Sequence, residues 1–320
     1  MKLKIQGRNY APADREREYM RITNNMLINN MMLSLSDNLS RTQKYQTQLA
    51  TGKKISLPSD DPIVAAKALK LRTDVAEIQQ YKRNTDDATA WMDITEATMN
   101  QMTEVIHRLK ELTNQASNGT NTPDELEKIK EEVAQLKKQM INLGNATYAG
   151  RYIFSGYKTD KPLLNDDGTF NIDIANSEQI RFEIGIGDDI NINVPGSDLF
   201  GSSPSETAGT KSKMIDTFDK VIDALENDPS QLSDLLADID DDLNNLLRVR
   251  AGLGARMNRV ELTADRLDDD NVNFTRLMSK NEDVDIAEAI MNLMNEENVY
   301  RASLATGARV IQPSLVDFLG

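Results

Sequence analysis

The chain has no cysteine and a single histidine in 320 residues. The first absence excludes disulfides, thiolate metal sites and a cysteine nucleophile. The second excludes His-rich zinc or iron sites and leaves imidazole catalysis to one side chain, His107. Aromatic residues make up only 5% of the chain, and glycine (16) and proline (9) are sparse. No window approaches the run of about 20 apolar residues that spans a bilayer, and the opening MKLKIQGRNYAPADREREY lacks the apolar stretch of a cleavable signal. Positive charge is short as well. The 37 Lys and Arg face 51 Asp and Glu, a formal charge of −14, which argues against nucleic acid or an anionic membrane surface as a partner, while the missing apolar run argues against membrane insertion. Most enzyme classes lose their chemistry before any motif is read, and no cofactor or metal is expected.

What is present suits long helices packed through aliphatic and thioether side chains, with 14 methionines among them. Residues 1–19, basic and carrying Pro12, read as a disordered or artefactual extension, as from an upstream start codon. A helix is expected over residues 22–49, its stripe of Ile22, Met26, Leu33, Leu35, Leu39 and Leu49 broken by Asn29, Thr42 and Gln46. So interrupted a seam cannot bury itself alone and requires a partner helix. Gly52 ends this helix, the loop TGKKISLPSDDP follows, and Ser59 or Asp60 is the expected cap of the next, with Pro62 in its first turn.

That second helix carries coiled-coil spacing at Val64, Ala68, Leu71, Val75 and Ile78 and, after a polar patch, at Met92, Thr95, Met99, Met102, Ile106 and Leu109. After SNGTNTP, Pro123 with Asp124 and Glu125 starts a third, with Leu126, Ile129, Val133, Leu136, Met140 and Leu143. The short link makes it antiparallel to the second. Helix resumes near Lys211 with Met214, Phe218, Val221 and Leu225. Beyond Pro229 and Ser230 comes the strongest run, Leu232, Leu236, Ile239, Leu243, Leu246, Arg250, Leu253, Met257, Val260, Ala264, Leu267, Asn271, Phe274 and Met278, in unbroken steps of four and three. A last amphipathic helix holds Ile286, Ile290, Leu293, Tyr300, Leu304 and Ile311, with Pro313 bending or ending it.

Between the helical halves the period changes to two. Phe170, Ile172 and Ile174, then Ile180, Phe182, Ile184 and Ile186, then Ile190, Ile192 and Val194 predict three short antiparallel strands. The fold class expected is mainly α, an elongated antiparallel helical bundle or coiled coil with a small β-rich insert. The expected division is 20–50 with 280–320 as terminal assembly helices, 51–151 with 211–279 as a long-helix rod, and 152–210 as the insert.

Candidate chemical sites are weak. His107 has no nucleophile or orienting acid near it in sequence and reads as structural or surface. The runs Asp238, Asp240, Asp241, Asp242 and Asp268, Asp269, Asp270 lack the alternating calcium loop and read as a solvated face. Asn165, Asp166, Asp167 and Gly168 spell a turn. TGKKIS lacks the upstream glycine of a phosphate loop, and GIGDDI at Gly185 has no βαβ setting. Trp91 reads as an anchor at a helix contact.

The terminal helices are more informative. They are amphipathic yet interrupted by Asn, Thr, Gln and Glu, as in segments that stay mobile alone and fold when a neighbouring subunit covers them. Ile22, Met26, Leu33, Leu39, Leu49, Ile286, Ile290, Leu293, Leu304, Ile311, Leu315 and Phe318 are the candidate assembly-interface residues.

The strings MRITNNMLINNMMLSLSDNL from Met20, QLATGKKISLPSDDPIVAAKAL from Gln48, NATYAGRYIFSGYKTDKPLL from Asn145 and EDVDIAEAIMNLMNEENVYRASLATGARVIQPSLVDFL from Glu282 resemble the flagellin superfamily. SDDP, RYIFSGYKT and SLVDFL fit its hook-filament junction branch better than the filament subunit. The resemblance implies a non-catalytic flagellar protein with terminal helices lining an inner tube and the insert facing outward. The implied partners are hook-associated protein 1, flagellin, further copies in a ring or tubular layer, and a flagellar export chaperone. The implied location is extracellular, after export through the flagellar type III channel. Filament flagellin, a non-flagellar secreted coiled-coil protein and a metal-binding helical protein remain alternatives.

Overall fold

The computed structural model describes residues 24–118 and 121–311. The chain is mainly helical, in the order α1 (Asn24–Thr51), α2 (Pro62–Ser117), α3 (Pro123–Gly144), β1 (Thr147–Tyr148), β2 (Arg151–Tyr152), β3 (Ile174–Ala175), β4 (Arg181–Gly185), β5 (Asp188–Asn191), α4 (Gly196–Phe200), β6 (Ser205–Glu206), α5 (Lys213–Asn227), α6 (Leu232–Glu282) and α7 (Ile286–Ile311). It divides into two compact units. The larger is Lys70–Leu277, and the smaller brings the chain up to Leu69 together with the chain from Met278.

In the larger unit α2 and α6 run antiparallel. Lys82 pairs with Asp268, Glu96 with Arg250 and Lys110 with Asp240, so numbers rise on one helix as they fall on the other. The helix α3 returns along α2 through Arg108 and Glu132 (2.8 Å). It also packs on α5 through Lys137 and Asp219 (2.6 Å). Their apolar stripes close on a core that includes Met99, Met102, Ile106, Val133, Met140, Phe218, Val221 and Leu253. Every position of the 4–3 run expected on α6 is buried or half-buried. The polar patch expected on α2 is no interruption: Thr85 and Ala88, both fully buried, continue the register. The Thr85 hydroxyl donates to the Tyr81 carbonyl at 2.7 Å, so it enters the seam without an unmet hydrogen bond.

Local signals explain the helix starts, with one correction. The cap of α2 is Asp61, whose Oδ1 accepts from the amides of Ile63 and Val64 at 3.0 Å each. Asp60 instead accepts from Leu57 (3.1 Å) and Ser56 (3.2 Å), which holds its carboxyl below the usual range. For α3, Thr122 and Glu125 form a reciprocal capping box, with the Thr122 amide donating to Glu125 Oε2 at 2.7 Å.

The insert is antiparallel but not a three-stranded sheet. It is three separate ribbons, β1–β2, β3–β6 and β4–β5. The stretch around Phe170 and Ile172 is mostly loop, and β3 pairs with the distant Ser205–Glu206. Ile186 faces solvent at the β4–β5 turn, where Gly187 takes a φ of +70°. Side chains replace the missing ladder. Fully buried Asn193 accepts from the Ile180 amide (2.8 Å) and donates to the Glu178 carbonyl (2.9 Å). Asn145 does the same for both backbone groups of Leu164 (2.8 and 2.9 Å).

Candidate assembly surface

In the smaller unit α1 and α7 form an antiparallel pair. Met31 packs at Gly307, Asn38 and Arg41 meet Glu296, and Lys53 meets Asp283. The shielded positions of α1 include Ile28, Met31, Leu35, Asn38, Thr42, Tyr45 and Leu49, in alternating steps of three and four, with Thr47 and buried Gln48 beside the last of them. Those of α7 include Ala289, Leu293, Glu296, Tyr300, Ser303 and Gly307. Much of this seam is polar or small. Asn38 Nδ2 donates to Glu296 Oε2 at 2.6 Å, and Arg41 Nε donates to Glu296 Oε1 at 2.9 Å. That second bond raises the Arg41 guanidinium above its ordinary pKa. The partner helix of α1 is α7 of the same chain, but among the described residues of the expected apolar stripe only Leu35 and Leu49 are shielded in the pair, while Met26, Leu33 and Leu39 stay exposed.

Many aliphatic side chains also lie on the outside of the pair. Met26, Leu27, Met32, Leu33 and Leu39 on α1, and Ile286, Ile290, Met291, Met294, Val299 and Leu304 on α7, are exposed. Complete burial of such a side chain is worth about 1.5–3 kcal/mol, and these forgo roughly half of it; exposed apolar residues gathered in this number mark an interaction site. Of the sequence candidates, Met26, Leu33, Leu39, Ile286, Ile290 and Leu304 belong to this outer surface, whereas Leu49 and Leu293 are half-buried. Ile311 closes α7, but its side chain lies outside the described residues, as do Ile22, Leu315 and Phe318 entirely. Sequence reasoning missed Leu27, Met32, Met291, Met294 and Val299. Their signal was apolar character around more than one helix face.

The loop after α1 is tied to the α6–α7 link. Lys54 N donates to Glu282 O (2.6 Å) and Val284 N to Gly52 O (3.0 Å), a short antiparallel bridge centred on Lys53 and Asp283. Lys53 Nζ reaches Asp283 Oδ1 and Glu282 Oε2 at 3.0 Å each, which raises its pKa. Lys53 is thus engaged within the fold through its ammonium and Lys54 through its backbone.

The remaining candidates are structural. His107 is exposed on α2. The acidic runs are more than a solvated face: Asp240 pairs with Lys110 and Asp268 with Lys82, and buried Asp242 accepts from the Thr217 hydroxyl at 2.7 Å. Among the described residues no group of three His, Cys, Asp or Glu is placed to hold a metal, and no helix is long and apolar enough to cross a membrane. Asp167 accepts from Thr169 (2.9 Å) in the turn at Gly168, which has a φ of +86°. Trp91 meets the Tyr148 ring edge to face at 5.9 Å.

A mainly helical chain whose terminal pair encloses Asn38, Thr42 and Glu296 in its seam and leaves eleven large apolar side chains exposed has the surface of a subunit in a larger assembly. Residues 22–159 match the bacterial flagellin N-terminal helical region and residues 236–319 the C-terminal helical region. The chain belongs to the flagellin family. It is 28% identical to the flagellar hook-associated protein 3 of Escherichia coli over 303 residues, 89% of this chain and 95% of that protein. It is also 28% identical to the flagellin of Bacillus subtilis, over 92% of this chain and 97% of that one. Among solved structures, a flagellar hook-associated protein from Vibrio parahaemolyticus shares the fold. Its TM-score is 0.60 at 20% identity, covering 70% of this chain and all of that one.

Proposed function

We propose that this chain is a structural, non-catalytic junction subunit of the bacterial flagellum, outside the cell, connecting the hook end to the filament. The observation that carries the reading is the α1–α7 pair, whose mixed seam holds polar Asn38 and Glu296 while Met26, Met32, Leu33, Leu39, Ile286, Ile290, Met291 and Met294 stay exposed for neighbours. A junction needs contact distributed along helices rather than a preorganised pocket. In this reading residues 20–50 and 280–320 are the assembly helices, 51–151 with 211–279 the long-helix body, and 152–210 the outer insert. Hook-associated protein 1 is the partner on one side and flagellin on the other. Further copies complete a ring or tubular layer. A flagellar export chaperone and the type III channel deliver the subunit.

The similarity to a filament flagellin favours one other reading, a filament subunit. The test mixes the purified chain with isolated hooks carrying hook-associated protein 1 and with filaments, scored by electron microscopy beside a self-polymerisation control. Capture at hook ends without long homopolymers is expected. Long tubes from the chain alone mean a filament subunit, and no association with either structure overturns both readings. Leu33→Ser with Leu39→Ser is expected to abolish capture while leaving the circular dichroism of the larger unit in place.

A further inference from the structure

Methionine in this protein is sorted by exposure. Met92, Met99, Met102, Met140 and Met214 lie in the core of the larger unit at 0–1% exposure. Met31, Met257 and Met278 are half-buried. Every exposed methionine among the described residues sits on α1 or α7: Met26 (43%), Met32 (57%), Met291 (61%) and Met294 (60%). The chain has no cysteine to react first, so among the described residues these four thioethers are the most accessible oxidisable side chains.

We propose that Met26, Met32, Met291 and Met294 form an oxidation site that switches off the assembly competence of the terminal helix pair. The co-reactant is hydrogen peroxide. The thioether sulfur takes one oxygen atom, RSCH3 + H2O2 → RS(O)CH3 + H2O, so sulfur loses two electrons and the peroxide is reduced to water. The product carries a strong acceptor oxygen on a side chain that was wholly apolar. A neighbour that buries it must desolvate that oxygen without a donor opposite, which costs free energy. Covering the face shields the sulfurs, so the reactive species is the unassembled subunit. The reaction is reversible, because sulfoxide reductases restore the thioether. The core methionines fall outside the switch, since oxidant reaches them only when the larger unit opens.

The consequence for assembly rests on the junction reading, whereas the site itself does not. The test treats the full chain with hydrogen peroxide, maps sulfoxides by peptide mass spectrometry and scores hook-end capture. The four exposed methionines should oxidise at least about tenfold faster than the five core ones. Capture should fall by at least about tenfold and return after methionine sulfoxide reductase treatment. The variant carrying Met26→Leu, Met32→Leu, Met291→Leu and Met294→Leu should capture equally with and without peroxide. Equal oxidation of core and surface methionines overturns the site. Unchanged capture by the oxidised chain, or equal loss in the leucine variant, overturns the switch. Untreated chain that fails to capture overturns the junction reading and the switch with it, while the sulfoxide map still decides the site.

Discussion

Lys53, in the loop after α1, and Glu282, the last residue of α6, meet at 3.0 Å, the carboxylate almost fully enclosed and the ammonium partly open to water. The same ammonium reaches Asp283, and backbone bonds on either side make one closure of two chain segments. Lys53→Ala should loosen it by about 2 kcal/mol, the scale of a hydrogen bond to a charged group. Faster hydrogen exchange at the Lys54 and Val284 amides would report this. Unchanged protection would mean that the backbone bridge suffices alone.

The pH response of this closure has two limbs. Lys53 is raised by its hydrogen bonds to Asp283 and Glu282, so its contribution is complete below its unfolded pKa and is lost as pH rises through the folded value. Asp283 is lowered, first by the Ser279 hydroxyl and then by Lys53, so its contribution is present above the unfolded carboxylate value and is lost as pH falls. Exchange protection at Val284, corrected for the intrinsic rate, should therefore be flat around neutrality and drop at both the acid and the alkaline end.

Asp242 behaves with the opposite sign. Burial pushes its carboxyl up, against the opposing hydrogen bond from Thr217. Such a group stabilises the fold fully below its unfolded pKa and loses that contribution as pH rises through the folded value. Asp242→Asn keeps an acceptor for Thr217 and removes the enclosed charge. It should stabilise the larger unit by about 1 kcal/mol at pH 7 and by nothing at pH values below the carboxylate range, read by thermal melts.

Asn38 is enclosed and donates to Glu296 at 2.6 Å. Asn38→Ala should weaken the α1–α7 pair by about 1 kcal/mol, seen as faster proteolysis within α1 while the larger unit stays resistant. Equal resistance in the two proteins would remove this contact from the account.

Gly307 faces Met31 across the pair, and a Cβ there would run into the Met31 thioether. That neighbour is the flexible end of a side chain, so Gly307→Ala should be nearly neutral, the contact offset by about 1 kcal/mol of helix propensity. Gly307→Phe has no such escape and should part the helices, lowering amide protection across α1.

Where apolar residues repeat every three to four positions, as from Leu232 to Met278, sequence alone located the helix and its buried face. The insert was harder to read. Phe170 and Ile172 alternate like strand residues and are buried, yet Phe170 makes only an isolated bridge to Leu164 and backbone bonds to Thr210 and Gly209. Elsewhere in the insert Asn193 and Asn145 bond the backbone of Ile180 and Leu164 where no ladder runs. Alternation reports burial on one side, not pairing. On the assembly surface the stripe through Met26, Leu33 and Leu39 was legible because those residues are apolar. The inner seam was not, since Asn38, Thr42 and Glu296 look like solvent-facing residues until the second helix is beside them.

Asn38 and Glu296 stand 258 positions apart. On a chain made from its amino end, the helix synthesised early is among the last to be completed, because its inner face comes from residues that emerge near the finish. Local helix forms in about a microsecond, whereas a contact of this separation waits on a slow, long-range search. Throughout that wait α1 exposes its inner face as well as its outer one, and its conformation belongs to whatever binds it first.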